Sequence, residues 1–132
     1  MKIETPEDFI NRLFICLTHQ PCMQRENPLC ECTIDLAFLI DLFKRQDGRC
    51  AITNVPMMTH YGMEAICIDR IDYDKGYIPD NVHLVCQWTT HARNHESLIA
   101  FKSVLSHFLI AHHGDTVVVD GRNMNPGCVY DN

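Results

Sequence analysis

Two features are scarce in this chain of 132 residues: long apolar runs and positive charge. Without a run of about 18 apolar residues, the sequence offers no transmembrane helix, and we expect no membrane partner. Lysine and arginine total 11 against 17 aspartates and glutamates, which gives a formal charge of −6. Because non-specific duplex binding depends on neutralising phosphates, this balance disfavours tight general DNA binding and leaves room for a protein partner.

The N-terminal residues MKIETPEDF contain no apolar stretch, so we expect no secretory leader. We therefore expect a cytoplasmic protein. In that compartment the eight cysteines do not predict a disulfide framework. Cys16, Cys50, Cys67 and Cys86 fall within apolar periodic segments, and we expect them to be reduced, buried thiols.

The chain length is that of one domain, residues 1–132, and the order of elements predicts an α+β fold. Thr5 and Pro6 begin a helix that continues to about residue 18. The other predicted elements are a helix over 34–46 stopped by Gly48, a short strand in RCAITNVP, strands over 64–69 and 82–86, a helix from Gln87, a packing helix after Glu96 and a strand in TVVVD. The segment GRNMNPG is expected to be irregular.

Polar residues collect where two of these strands and a helix are expected to meet. Asp69 ends the first strand, and Asn81 precedes the second. The helix that follows contributes Thr90, His91, Asn94 and His95. A carboxylate with imidazoles suits a divalent cation, which stabilises charge on a phosphodiester. His91 and His95 are four residues apart and are expected to share one helix face.

Three blocks in order, LFKRQDGRCAITNVPM, IDRIDYDKGYIPDNVHLVC and ARNHESLIAFKSVL, resemble the HNH endonucleases. The nearest resemblance is to the phage-associated branch with a DRID sequence. It implies a ββα-metal (His-Me finger) core over residues 36–105, preceded by a helix and loop over 1–35 and followed by a tail over 114–132. It also implies cleavage of nucleic acid, with double-stranded DNA the first choice, by a divalent cation. Mg²⁺ or Mn²⁺ is expected, with Zn²⁺ as an alternative, and the compartment is the host cytoplasm if the chain is phage-encoded.

The resemblance assigns roles to individual residues. Asp69 matches the metal-binding acid and Asn81 the residue that braces the catalytic loop. Arg70 stands where many members have a general-base histidine. An arginine cannot take a proton near neutral pH but can hold a phosphate. Asp72 or a metal-bound hydroxide is then the candidate base, and Lys75 and Arg93 are candidate phosphate contacts.

The helix register is left open by the sequence. Counted from Cys86, the helix asparagine of the family falls on Thr90, a poor metal ligand. In that register Thr90 and Asn94 point inward and the site is weak. A shift of one residue places His91 and His95 in the ligand positions instead, with His91 also the candidate catalytic residue.

A second hypothesis is a catalytically degenerate HNH-fold phage protein that binds and inhibits a host or defence protein. The charge of −6, the absent general-base histidine and Thr90 favour it. A third is a DNA-binding accessory factor without cleavage, which the scarcity of clustered lysine and arginine disfavours.

Two further places in the chain contain side chains that can bind metal or transfer protons. His19, Cys22, Cys30 and Cys32 supply four ligands for a structural zinc ion, although their spacing matches no common finger. His83 alternates with inward apolar neighbours on its strand, which predicts an outward side chain without chemical function.

Overall fold

The computed structural model describes residues 4–19, 31–94, 96–113, 117–119 and 122–124. The elements in chain order are α1 (Pro6–Thr18), α2 (Leu36–Arg45), β1 (Ile66–Arg70), a 3₁₀ turn (Pro79–Asn81), β2 (Val82–Cys86), α3 (Gln87–Arg93), α4 (Leu98–His113), β3 (Val117–Val119) and β4 (Arg122–Met124). The predicted α+β class is confirmed. The chain forms two compact units, Met1–Asn94 and His95–Asn132, and the predicted core range 36–105 extends across their boundary.

Helix α1 begins with the predicted capping chemistry. The Thr5 hydroxyl accepts a hydrogen bond from the backbone N–H of Asp8 at 3.1 Å, and the Asp8 carboxylate accepts one from the N–H of Thr5. These reciprocal bonds satisfy donors that a helix start otherwise leaves unpaired. The apolar face of the helix then buries Phe9 and Ile10 completely in the core of the first unit.

Helix α2 ends in a turn that joins it to the sheet. Gly48 has a φ of 67°, and a β-carbon there would lie 3.2 Å from the Phe43 ring, so the turn requires glycine. Just before it, the Gln46 side chain donates to the carbonyl of Leu84 at 2.8 Å and accepts from the N–H of Leu84 at 3.0 Å. Gln46 and the Ala51 N–H, which also donates to the Leu84 carbonyl at 3.0 Å, therefore bond to the edge of β2 at Leu84.

The sheet of the first unit is an antiparallel hairpin of β1 and β2. Its register places Asp69 opposite His83 and Arg70 opposite Val82, and residues 71–81 connect the strands. Helix α3 follows β2 directly and packs against both strands. All five residues of β2 are buried, which makes this strand the centre of the unit.

The strand predicted in RCAITNVP is wrong. Residues 50–55 form a tight turn in which the Cys50 N–H bonds to the Val55 carbonyl at 2.8 Å and the Asn54 N–H to the Cys50 carbonyl at 2.9 Å. Asn54 adopts a φ of 62° within it. Two of its backbone bonds are thus internal, the Ala51 N–H donates to the Leu84 carbonyl of β2 at 3.0 Å, and Arg49 and Pro56 form a bridge across the turn.

The second unit contains α4 and the β3–β4 hairpin. The Ser97 hydroxyl caps α4 by accepting from the N–H of Ala100 at 3.1 Å. Strands β3 and β4 pair antiparallel, with Val117 opposite Met124. The prediction that GRNMNPG is irregular is therefore wrong for Arg122–Met124. None of the helices in the described residues has the length and apolar character to span a bilayer.

Candidate functional site

Asp69 lies at the end of β1 with its carboxylate enclosed by three donors. The side chain is 3% exposed. Its Oδ1 accepts a hydrogen bond from the Tyr73 hydroxyl at 2.9 Å. Its Oδ2 accepts one from Arg93 Nη1 at 3.1 Å and lies 2.8 Å from His83 Nε2. We call these four residues the Asp69 cluster.

Arg93 supplies the positive charge of the Asp69 cluster. It was expected to contact a nucleic-acid phosphate, but it is 1% exposed and points inward from the last turn of α3. Besides Asp69, the guanidinium donates to the carbonyl of Arg70 at 2.8 Å and to the carbonyl of Ile71. Its central carbon lies 4.2 Å from the centroid of the Tyr73 ring, a cation–π distance. The side chain thereby ties α3 to the end of β1.

His83 completes the Asp69 cluster from the opposite strand. The prediction that it faces outward is wrong, because the residue is 7% exposed and its Nε2 contacts Asp69. The prediction failed because both faces of β2 are buried, so alternation along this strand does not separate inside from outside.

Tyr73 is held in its neutral form by its surroundings. Burial raises the pKa of the Tyr73 hydroxyl to about 12, with the negative charge of Asp69 and the hydrogen bond to it adding to the increase. Arg93 and Arg70 oppose the shift. At neutral pH the phenol therefore keeps its proton and donates it in the hydrogen bond to Asp69.

The loop between β1 and β2 is organised by Asn81. This side chain is 4% exposed. Its Oδ1 accepts from the N–H of Asp72 at 2.8 Å, and its Nδ2 donates to the carbonyls of Asp72 at 3.0 Å and Gly76 at 2.9 Å. Asp72 is exposed and accepts from the N–H of Asp74 at 2.9 Å. Asn81 therefore fixes the shape of the loop from the inside.

Arg70 belongs to the same loop. Its guanidinium donates to the carbonyls of Tyr73 at 3.3 Å and Lys75 at 3.1 Å. It lies 5.4 Å from the ring centroids of both Tyr73 and Tyr77. Lys75 itself is exposed. Arg70 is thus engaged with the loop backbone and its aromatic rings.

Helix α3 adopts the register in which Thr90 faces the strands. The Thr90 hydroxyl contacts Cys67 Sγ at 3.6 Å, whereas His91 is exposed. Helix α3 ends at Arg93, before the position expected to share a helix face with His91, and Asn94 is left-handed with a φ of 47°. Asn94 is exposed, and His95 lies outside the described residues.

The donor set around Asp69 does not fit a divalent metal ion. Mg²⁺ and Mn²⁺ need several oxygen ligands in close geometry. Both Asp69 oxygens are already hydrogen-bonded, and the positive charge of Arg93 lies where a cation would be repelled. Within the described part of the chain, no three His, Cys, Asp or Glu residues are grouped to hold a metal ion.

The four candidate zinc ligands are only partly described. His19 is the C-cap residue that follows α1, with its Nδ1 2.7 Å from the carbonyl of Ile15. Cys32 pairs through its backbone with Tyr77, and burial raises the pKa of its thiol. Cys22 and Cys30 lie outside the described residues.

Comparisons with protein-family models, with curated proteins and with solved structures found no match. The HNH resemblance and the roles that it implies therefore stay predictions.

Proposed function

We propose that this chain is an HNH-like protein that acts by binding another protein and does not cleave nucleic acid. In this proposal β1, β2 and α3 are the ββα scaffold, and an internal arginine takes the place of its metal ion. A phage-encoded chain of this kind would act on a host or defence protein.

The ion pair of Arg93 with Asp69 is the observation that carries this proposal. A ligand carboxylate has to offer a lone pair to the metal and lie open to the substrate. Asp69 is 3% exposed, and its charge is balanced by a guanidinium that is 1% exposed. A buried pair of this kind is costly to separate, because each partner would be left as an isolated charge in a poorly solvated site.

The surface of the first unit offers a place for a protein partner. Three large apolar side chains are exposed on the segment before β1, namely Met58 at 40%, Tyr61 at 73% and Met63 at 68%. Met58 and Met63 line one shallow concavity. Methionine and tyrosine are enriched at protein interfaces, and the overall charge of −6 disfavours a polyanionic partner.

The metal-dependent nuclease remains the second candidate function, favoured by one observation. Asn81 braces the loop after Asp69 through three hydrogen bonds, which is the role that the resemblance gives this residue. That candidate requires Arg93 to leave Asp69 before any cation is bound.

Supercoiled plasmid with Mg²⁺, Mn²⁺ or EDTA separates the two candidates. We expect no nicking by the wild-type chain, and no Mn²⁺ binding by electron paramagnetic resonance. Asp69→Asn is the test variant, and Asp41→Asn on the exposed face of α2 is its matched control. Metal-dependent nicking that Asp69→Asn abolishes and Asp41→Asn preserves would refute the binding-only function.

The proposed binding of another protein is tested by a separate experiment. Affinity capture from a host lysate should retain a partner with the wild-type chain and lose it with the Tyr61→Ser/Met63→Ser variant. Ile99→Ser, at an exposed apolar residue of α4, serves as the control. An identical set of captured proteins with all three chains would exclude this surface as the interface.

A further inference from the structure

Two cysteine thiols meet where β2 passes into α3. Cys50 opens the turn over residues 50–55, and Cys86 is the last residue of β2. The backbone N–H of Cys86 donates to Cys50 Sγ at 3.3 Å. Both residues are free cysteines, 2% and 0% exposed. The Cys50 sulfur is therefore held against the backbone of Cys86 in the core of the first unit, so the two reduced cysteines are neighbours there.

The two thiols differ in acidity. Burial acts to raise the pKa of Cys50, but the Thr53 hydroxyl and the N–H groups of Cys86, Thr53 and Ile52 donate to its sulfur and lower that pKa overall. Burial raises the pKa of Cys86 to about 12, and the neighbouring Cys50 sulfur adds to that increase. Cys50 is therefore the nucleophile of the pair, since the thiolate is the reactive form.

Access to Cys50 depends on the turn above it. Ala51 and Asn54 are exposed, whereas Cys50 is buried. The turn is closed by two backbone bonds within residues 50–55 and is tied to β2 by the Ala51 N–H, which donates to the Leu84 carbonyl at 3.0 Å. Breaking these three bonds is a local opening, which costs less than global unfolding. Opening of this turn exposes the Cys50 sulfur while β2 stays paired with β1.

We propose that Cys50 and Cys86 are a redox pair that closes to an intramolecular disulfide on reaction with a small disulfide such as oxidised glutathione. The Cys50 thiolate attacks one oxidant sulfur, forms a mixed disulfide and releases one glutathione thiolate. The Cys86 sulfur then attacks Cys50 Sγ, forms the Cys50–Cys86 bond and expels the second glutathione. Two protein thiols are oxidised, the oxidant is reduced to two thiols, and these take up the two protein protons.

The disulfide would join the 50–55 turn to the residue before α3. Its formation does not depend on the proposed binding function. It would restrict the unfolded chain between residues 50 and 86, and we therefore expect the oxidised protein to have a higher Tm than the reduced one.

The test equilibrates the full chain with mixtures of reduced and oxidised glutathione, quenches with acid, alkylates free thiols and digests with trypsin without reduction. The expected product joins peptides 50–70 and 76–93. Because peptide 50–70 also contains Cys67, the Cys67→Ser variant assigns the link to Cys50. The link should persist in Cys67→Ser, disappear in Cys50→Ser and Cys86→Ser, and be accompanied by a rise in Tm.

Three results would refute the proposed Cys50–Cys86 disulfide. All three are measured in the wild-type and Cys67→Ser chains, so they hold even if Cys50→Ser and Cys86→Ser fail to fold. One is the absence of the link at every glutathione ratio. Another is a stable glutathione adduct on Cys50 without closure. The third is a link from Cys86 to Cys67.

Discussion

At the scale of single residues, the Asp69 cluster shows how a buried carboxylate is balanced. Tyr73, His83 and Arg93 approach it from the loop, from β2 and from α3. A charge removed from water needs such donors, because desolvation otherwise costs several kcal/mol per ion. In the described residues no buried side-chain polar atom lacks a hydrogen-bond partner, so the balance extends beyond this cluster.

Arg93→Met should destabilise the chain strongly. It leaves the buried Asp69 carboxylate without its cation, and we expect a loss of about 3–5 kcal/mol in the free energy of unfolding, measured in urea. Asp69→Asn combined with Arg93→Met should restore part of this loss, because neither charge is then left alone. The control is Arg45→Met, at an exposed pair with Asp41, which should cost less than about 1 kcal/mol. Equal losses for Arg93→Met and Arg45→Met would contradict the structural role of the cluster.

Tyr73 should ionise later than a tyrosine free in water. Its pKa is raised to about 12 in the folded chain, above the value of about 10 expected when the chain is unfolded. The stabilisation by its neutral form is therefore complete below pH ~10 and is lost as the pH rises through ~12. Phenolate absorbance during an alkaline titration should show one late transition that Tyr73→Phe removes. A late transition that persists in Tyr73→Phe would assign it to another tyrosine.

At the scale of elements, the β1–β2 connection is shaped by one side chain. Asn81 fills the inside of the loop and satisfies one N–H and two carbonyls there. Neither strand imposes this shape, because the strand register ends at Arg70 and Val82. The position of Tyr73 below Asp69 depends on the same loop.

Asn81→Ala should loosen the loop and leave the strands paired. The Asp72 N–H and the Gly76 carbonyl would lose buried partners, at about 1–3 kcal/mol for each such group. Urea denaturation should show the loss, and hydrogen exchange should speed up over residues 71–80 before it changes in β2. Asp74→Ala, at an exposed position of the same loop, is the control. Unchanged exchange in Asn81→Ala would show that the loop is held by other contacts.

Elements fixed by contacts between residues close in the sequence were predicted correctly, whereas those fixed by contacts between distant residues were not. The start of α1 and the limits of β2 follow from neighbours in the sequence, and they were predicted. The turn over 50–55 was predicted as a strand, because its apolar residues do not reveal that two of its backbone bonds are internal and a third goes to Leu84, far along the chain. Arg93 was predicted to face solvent, but its side chain is buried against Asp69. The two residues are 24 positions apart, and their contact depends on how α3 packs against β1, which the local sequence does not show.

At the scale of the whole molecule, apolar burial is concentrated in the first unit. The buried core cluster extends from Phe9 to Cys86, and Trp88 packs against it. Every member of this cluster lies within Met1–Asn94. A unit that holds its own core can in principle fold alone.

We therefore expect a chain truncated after Asn94 to fold. Trp88 is the only tryptophan, so its fluorescence reports on this unit without interference. The truncated chain should keep the folded emission of Trp88 and should unfold in urea as one cooperative transition. The same truncation carrying Leu39→Ala, which removes a fully buried core side chain, should unfold at lower urea, by about 2–5 kcal/mol. Emission typical of solvent-exposed tryptophan in the unmutated truncation would mean that residues 95–132 are required for the core, because the apolar cluster alone would then not offset the conformational entropy lost on folding.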